Sequence, residues 1–341
     1  MVRVGLAGLG FMGGTHAQCY AALPNAQLVA VADPEADRRR QFADTYGAKA
    51  YASVDEMVAA DIDLVDICMP TYLHRKAVET AAAAGKHVFC EKPMALTTAD
   101  CDAMIAAVKQ AGVKFTVGHV IRFWPEYTVI KQILDSGRYG KIRWASATRV
   151  SPPPTWSWHE WLFDPKLSGG AALDLHIHDL DFLAWILGMP KVVSAAGVNG
   201  KGGALDNLWT TTTGHGGGAV GFAEGSLDMA AGFPFTMGLK IVLEGAAIEM
   251  NSRLSPSVLV ASGGTVEHPD VPQPEVPATA GAGSTGNISA LGGYFIEVKY
   301  FVDCVDKGDT PAVVTPEEAK AAVALCLAAT RSAQSGQPVK L

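Results

Sequence analysis

Hydrophobic and polar positions follow two different grammars along this chain. Over roughly the first 120 residues, short apolar runs alternate with longer amphipathic or Ala-rich stretches. The runs at 2–7, 27–32, 50–51, 64–69, 87–90 and 114–118 read as strands. The stretches at 14–23, 35–46, 72–84 and 97–111 read as helices, with a short one after the capping box Ser53-Val54-Asp55-Glu56. Strands alternating with helices predict an α/β unit built on a doubly wound parallel sheet. Ligands of such a sheet bind beyond the carboxyl ends of its strands. Asp33, Pro70, Thr71, Lys92 and His119 all lie at or just past those ends.

Beyond residue 120 the pattern changes. A helix near 126–136 precedes a strand at 142–150, a Pro- and Trp-rich loop at 151–161 and a helix from Gly169 to about 187. Alternating runs at 192–198, 208–213, 219–227, 236–243 and 247–250 follow with no helices between them. Strands in series predict an α+β domain on an open, mainly antiparallel sheet. Residues 261–287 are rich in Gly, Pro and Ala and read as a long loop. Helices near 293–307 and 316–333 close the chain. The expected division is therefore a Rossmann-type domain over 1–120 and a second, α+β domain over 121–341.

The first strand runs into Gly8-x-Gly10-x-x-Gly13. With 36 glycines in 341 residues, about 0.4 chance matches to this pattern are expected, so context must decide. The chain holds two more matches. Gly216-x-Gly218-x-x-Gly221 lies between two strand-like runs, and Gly281-x-Gly283-x-x-Gly286 lies in the loop; both read as turn glycines. Only the first sits between a strand and a helix. There Gly8 permits the turn, Gly10 admits a pyrophosphate to the backbone and Gly13 lets helix and strand pack closely. The second strand ends at Asp33, the position of an acidic residue for an adenosine ribose hydroxyl. Together they predict dinucleotide binding, with NAD preferred over NADP because a carboxylate repels a 2′-phosphate.

Composition narrows the field. Apolar residues make up 49% of the chain and charged residues 18%, with a net charge of −7 and no basic block. This argues for a globular protein that does not bind nucleic acid. No apolar run approaches about 18 residues, so no membrane span is expected, and the opening run is itself a strand rather than a secretory signal. The six cysteines form no C-x-x-C pair, which predicts a reducing, cytoplasmic setting and no structural metal.

Three groups of residues carry candidate chemistry. Lys92 ends a strand and is followed by Pro93; on spacing alone it is either a surface charge or a group at the sheet mouth. Asp174 and His178 are spaced i, i+4 beside an apolar stripe of Leu173, Ile177 and Leu180. That pair is either a core-edge histidine satisfied by its carboxylate or a proton acceptor tuned near neutral pH. His176 lies some 200° round the same helix and is the weaker candidate. An Asp-x-His-x-His run splays its ligands round the helix, so no metal is expected. Trp156, Trp158 and Trp161 crowd one loop; they either pack it down or stack on the C–H face of a sugar.

In order and spacing, these pieces resemble the glucose–fructose oxidoreductase/inositol dehydrogenase/MocA family of NAD(P)-dependent oxidoreductases. The resemblance rests on the Gly8–His16 run, Met69-Pro70-Thr71-Tyr72-Leu73-His74, Glu91-Lys92-Pro93, the run from Gly118 to Pro125, and Asp174-x-x-x-His178-Asp179. It implies hydride transfer at a hydroxyl carbon of a sugar, cyclitol or related polyol, with Lys92, Asp174 and His178 as catalytic residues. It also implies cofactor contacts from Gly8, Gly10, Phe11, Met12, Gly13, Asp33, Pro70, Thr71, His74, Glu91 and Lys92. Substrate contacts would come from His119 and Arg122 together with Trp156, Trp158 and Trp161. Thr71 stands where the family often carries asparagine. The resemblance further implies a homodimer or homotetramer joined through the C-terminal sheet. A redox-neutral NAD-dependent glycoside hydrolase and a non-catalytic NAD(P) sensor are the alternatives within this fold.

Overall fold

The computed structural model describes residues 1–155, 157–200, 204–275 and 291–341. It divides into two compact units: residues 1–123 with 274–320, and residues 124–273 with 321–341.

The first unit begins with β1 (Val2–Ala7), α1 (Phe11–Ala22), β2 (Ala26–Ala32), α2 (Ala36–Tyr46), β3 (Lys49–Tyr51) and α3 (Val54–Met57). It continues through β4 (Leu64–Ile67), α4 (His74–Ala83), β5 (His87–Glu91), α5 (Thr98–Ala111) and β6 (Phe115–Gly118). The strands form one parallel sheet in the order β3-β2-β1-β4-β5-β6. This is the doubly wound arrangement the alternation predicts. Burial on both faces explains the nearly continuous apolar runs; every residue of β4 is buried, Asp66 among them. Local signals set the helix ends. The Thr97 hydroxyl accepts the Asp100 N–H at the start of α5, and Gly112 ends it in the left-handed region at φ 65°.

The second unit holds α6 (Pro125–Asp135), β7 (Ile142–Val150), α7 (Pro165–Ser168) and α8 (Ile177–Leu187). Then come β8 (Val192–Asn199), β9 (Leu205–Thr213), β10 (Val220–Ser226), β11 (Thr236–Leu243), β12 (Ala247–Asn251), β13 (Val258–Ser262) and β14 (Thr265–Glu267). The chain closes with α9 (Gly292–Lys307), α10 (Pro316–Ser335) and β15 (Val339–Lys340). The sheet order is β14-β13-β12-β11-β7-β10-β9-β8-β15. Among the described strands of this sheet only β7 and β10 pair in parallel, so the sheet is mixed and mainly antiparallel. Its alternation is visible in β11, where Leu239, Ile241 and Leu243 are buried and Lys240 is exposed. The buried face receives α8.

Two features depart from the sequence reading. The expected loop from 261 begins as a hairpin, because Gly263 and Gly264 both take positive φ (57° and 81°) and close a two-residue turn between β13 and β14. Residues 276–290, including the glycine pattern at 281–286, lie outside the described residues. The segment carrying α9 belongs to the first unit, where it packs on α1. The second glycine pattern, at 216–221, spans the β9–β10 turn and the start of β10. All six cysteines are free thiols. No helix among the described residues is long and apolar enough to cross a membrane.

Candidate active site

The glycines at the end of β1 meet three different steric demands. Gly8 takes φ 86°, and a Cβ there would lie 2.6 Å from the Cys68 carbonyl oxygen. A Cβ on Gly13 would lie 2.0 Å from the Gly8 carbonyl oxygen, so helix and turn touch backbone to backbone. A Cβ on Gly10 would meet nothing within 4 Å. That position guards open space at the N-terminus of α1, where no side chain caps the helix and the first turn holds no acidic residue. A bare helix N-terminus beside a glycine that fills no protein volume fits a dinucleotide pyrophosphate. Phe11 and Met12, the first residues of α1, are half-buried there.

Asp33 lies just past β2 and is buried. Its Oδ2 accepts the Leu9 N–H at 2.9 Å, and its Oδ1 accepts the Glu35 N–H at 2.9 Å. Arg38 Nη1 also reaches Oδ2, at 3.3 Å. An ionised carboxylate has about four acceptor positions; these three contacts hold it against the glycine turn and leave capacity for a ribose hydroxyl.

The loops after β4 and β5 are tied together. Pro70 leads into a single 3-10 turn, Thr71–Leu73, in which Thr71 is buried. The ring of His74, expected among the cofactor contacts, lies between two backbone carbonyls, with Nδ1 3.0 Å from that of Pro93 and Nε2 2.8 Å from that of Met69, and in its neutral form donates to one of them. It clamps one loop to the other, and its burial lowers its proton affinity despite those two carbonyls. Glu91, the last residue of β5, is buried, and its Oε2 accepts the Lys92 N–H at 2.9 Å. Lys92 itself is half-buried. His119 follows β6 and is fully buried. Arg122 is buried too, with Nη1 on the Val313 carbonyl at 2.8 Å and 3.2 Å from Glu318. Both of those partners lie in the tail segment of the first unit.

In the second unit, the helix read as starting at Gly169 proves to be composite. Gly169 ends α7 at φ 78°, Gly170 follows at 68°, and a π-helical turn spans Ala172–His176 before α8 begins. The i→i+5 bonding of that turn takes in extra residues. A uniform 100° wheel therefore does not apply from 172 to 176, and the 200° offset assigned to His176 is corrected. Such π-bulges occur often at functional sites. Asp174 lies within this one and is half-buried; His178 lies just past it and is 8% exposed.

Three neighbours fix this helix. Arg149 of β7 forms a bidentate pair with Asp179, Nε to Oδ2 at 3.0 Å and Nη2 to Oδ1 at 3.1 Å. Its Nη2 also reaches the Tyr127 hydroxyl at 3.3 Å. His176 is fully buried, with Nε2 on Thr210 Oγ1 at 2.8 Å. Burial, aided by the Arg149 charge, lowers its pKa to about 4; it is a neutral core residue. Neither Arg149 nor the role of Asp179 emerged from sequence reasoning. The available signal was an arginine inside an alternating strand and an aspartate inside an apolar helix.

Of the tryptophan loop, Trp156 lies outside the described residues. Trp158 and Trp161 are half-buried, and Trp158 meets the His159 ring edge-on at 4.4 Å. His159 and Glu160 both adopt left-handed backbone (φ 47° and 55°). Non-glycine residues rarely do so outside strained or functional segments.

Comparison with known proteins matches both units to one family. Residues 2–119 match the model of the GFO_IDH_MocA oxidoreductase family with NAD-binding Rossmann fold, and residues 127–249 match the GFO/IDH/MocA C-terminal domain. The chain is 30% identical over 357 residues to scyllo-inositol 2-dehydrogenase (NAD(+)) of Bacillus subtilis, covering 100% of this chain and 96% of that protein. It is 29% identical over 358 residues to myo-inositol 2-dehydrogenase of Thermotoga maritima, covering 100% and 98%. Other curated relatives align over only 53% to 58% of their own length. The fold matches a crystal structure of an oxidoreductase from Agrobacterium radiobacter in complex with NAD+, L-tartaric acid and magnesium. That match has a TM-score of 0.86 at 22% identity and covers 99% of this chain and 98% of that one.

Proposed function

The chain belongs to the GFO/IDH/MocA oxidoreductase family, and from that premise we propose that it oxidises or forms a hydroxyl-bearing carbon of a sugar, cyclitol or related polyol, using NAD. Its N-terminal part is an NAD-binding Rossmann domain, and the bound nucleotide supplies the hydride acceptor or donor. The loop Gly8–Gly13 with Phe11 and Met12, the Asp33 carboxylate, and Pro70 with Thr71 would hold it. Asp33 favours NAD over NADP, since a carboxylate accepts from a ribose hydroxyl and repels a phosphate.

The observation that carries the proposal is Lys92. It stands at the carboxyl end of β5, where a parallel sheet places its ligands, with its backbone N–H capped by a buried carboxylate. In this role its ammonium donates to the substrate oxygen and stabilises negative charge developing there. His178 takes the hydroxyl proton in oxidation and returns it in reduction. Asp174 orients His178 or holds a second hydroxyl. The Trp158–Trp161 segment covers a sugar face, and His119 belongs to the substrate side. In this reading residues 1–120 serve the cofactor, and residues 121–341 serve substrate and self-association.

Self-association has its own support. Trp209 faces Ala196 on β8, two residues from Val198, and Thr211 faces Phe222 on β10, so all three apolar side chains share one sheet face. They are 46%, 57% and 42% exposed for Trp209, Val198 and Phe222. Contiguous exposed apolar surface of this kind marks an interface, and a homodimer or homotetramer through this sheet would cover it.

A panel of inositols, aldoses and anhydrosugars, each with NAD+ and followed by NADH absorbance, tests the reading. NAD-linked oxidation of at least one, abolished in Lys92→Ala, is expected. Protein that binds NADH but oxidises none of the panel would overturn it.

A further inference from the structure

A line of buried charge runs beneath the strand ends of the first unit and ends at Lys92. His16 lies on the inner face of α1 and is fully buried. Its Nδ1 meets Asp66 Oδ2 of β4 at 2.8 Å, and Tyr20 Oη donates to the same oxygen at 2.8 Å. Its Nε2 lies 3.1 Å from Glu91 Oε1 at the end of β5. That second contact is bent: neither atom completes a hydrogen bond there, so charge attraction rather than a linear bond joins them. The other Glu91 oxygen accepts the Lys92 N–H at 2.9 Å.

The setting of Glu91 is narrowly defined. A Cβ on Gly118 would lie 3.2 Å from the Glu91 carboxyl carbon and Oε1, so β6 leaves room for the carboxylate by carrying glycine. The His16 ring is walled by Phe89, edge-on at 5.3 Å, and by Tyr294 at 6.3 Å. A neutral imidazole has one donor and cannot serve two carboxylates, whereas the protonated ring has two. Burial opposes that charge, and the Asp66 carboxylate at Nδ1 works against burial and holds His16 above its ordinary proton affinity.

His16, Asp66 and Cys68 are also residue types that bind metals, with ligand atoms within 4.8 Å of one another. Tetrahedral zinc, with bonds of about 2.0–2.3 Å, keeps its ligand atoms about 3.4 Å apart. The 2.8 Å separation of Nδ1 and Oδ2 is a hydrogen bond instead, and the cluster is better described as a polar network than as a metal centre.

We propose that His16 is a positioning residue for Lys92: by holding Glu91 Oε1 it fixes the carboxylate that caps the Lys92 backbone, and with it the root of the Lys92 side chain. This rests on the reading of Lys92 as the group that polarises the substrate oxygen. A lysine stem has wide rotamer freedom, so an ammonium that must meet developing charge needs a fixed origin. The arrangement also gives α1 two tasks. Its N-terminus offers the pyrophosphate site, and one turn further on it holds the strand end that carries the lysine.

The test reads Lys92 directly. His16→Gln, Glu91→Gln and the double variant are pulsed with acetic anhydride, and acetylation of Lys92 is measured by peptide mass spectrometry against Lys76 of the same unit. Glu91→Gln keeps the shape and an acceptor for the Lys92 N–H while removing the charge that meets His16, so it decides the matter if His16→Gln does not fold. With native circular dichroism retained, each single variant should raise Lys92 labelling relative to Lys76 by about tenfold, the equivalent of about 1.4 kcal/mol of lost restraint. The double variant should add nothing further, because both changes break one path. Unchanged or lowered labelling in Glu91→Gln, or additive rises in the double variant, would overturn the proposal. Undiminished NAD-linked turnover in Lys92→Ala would instead remove the catalytic reading and leave the labelling result standing, which keeps the two failures distinct.

Discussion

The pair formed by Arg149 and Asp179 offers the sharpest test of what holds the helix that carries His178. The two side chains are 3% and 0% exposed, and they meet through two hydrogen bonds of 3.0 and 3.1 Å. Burial pushes the Asp179 carboxyl up, and the Arg149 guanidinium offsets this only in part. A buried ion pair generally returns little more than the desolvation of its two charges costs. Removing one partner is another matter. Asp179→Ala takes the bidentate carboxylate away from a buried guanidinium, a change that costs about 3–5 kcal/mol against a typical total of about 5–15 kcal/mol. All seven tryptophans lie between residues 124 and 209, within the second unit. Their fluorescence in a urea titration thus reports that unit alone. At a slope of about 2 kcal/mol/M, the midpoint should fall by about 1.5–2.5 M. The double replacement Arg149→Met with Asp179→Leu should recover most of that loss, since matched apolar side chains replace a buried pair at little or no cost. A shift below about 0.5 M in Asp179→Ala, about 1 kcal/mol at that slope, would refute the reasoning and leave apolar packing alone to hold α8.

The other predictions concern the cofactor, the chemistry and pH. A methyl on Gly10 meets no protein atom within 4 Å, whereas one on Gly13 meets the Gly8 carbonyl oxygen. Gly10→Ala should therefore keep its unfolding midpoint and lose NADH affinity, while Gly13→Ala should lose stability; the opposite pattern would place the open space elsewhere. NADH should bind more tightly than NADPH in fluorescence titrations, and Asp33→Ala should erode the difference; tighter NADPH binding by the wild type would overturn the role given to Asp33. His178→Asn should lower kcat by about 10²–10⁴-fold and Lys92→Ala by about 10²–10³-fold, with little change in NADH affinity for His178→Asn. Single-turnover rates near wild type would remove either residue from the mechanism. His176 titrates near 4 in the fold against an ordinary value of 6.5. Between those values the unfolded chain binds more protons, so this contribution is complete above 6.5 and is lost as pH falls towards 4. His176→Gln should flatten that part of the tryptophan-monitored stability profile, and an unchanged slope would show that the ring is not held neutral.

Much of this protein is legible in its sequence because periodicity and turn chemistry are local. The six parallel strands, the change to serial strands after residue 120 and the dinucleotide turn all follow from the order of apolar runs and the few places where only glycine fits. Asp33 is readable for the same reason, since it ends a strand whose neighbour carries the glycines. The Gly263-Gly264 hairpin was also written locally and was hidden by the surrounding Gly, Pro and Ala. Other features depend on distant parts of the chain. The π-helical turn at 172–176 breaks a helical wheel that sequence spacing must assume to be uniform. His74 has a helix-starting position in sequence, yet its ring reaches a backbone carbonyl 19 residues further on. The pairing of Arg149 with Asp179 spans 30 residues, and the contact between His16 and Asp66 spans 50. Sequence marks each of these groups as polar within an apolar stretch, but not which partner satisfies it. That partner is selected when burial removes water, because an ionised or polar group in the interior is tolerable only where the fold brings a complementary group within hydrogen-bonding reach.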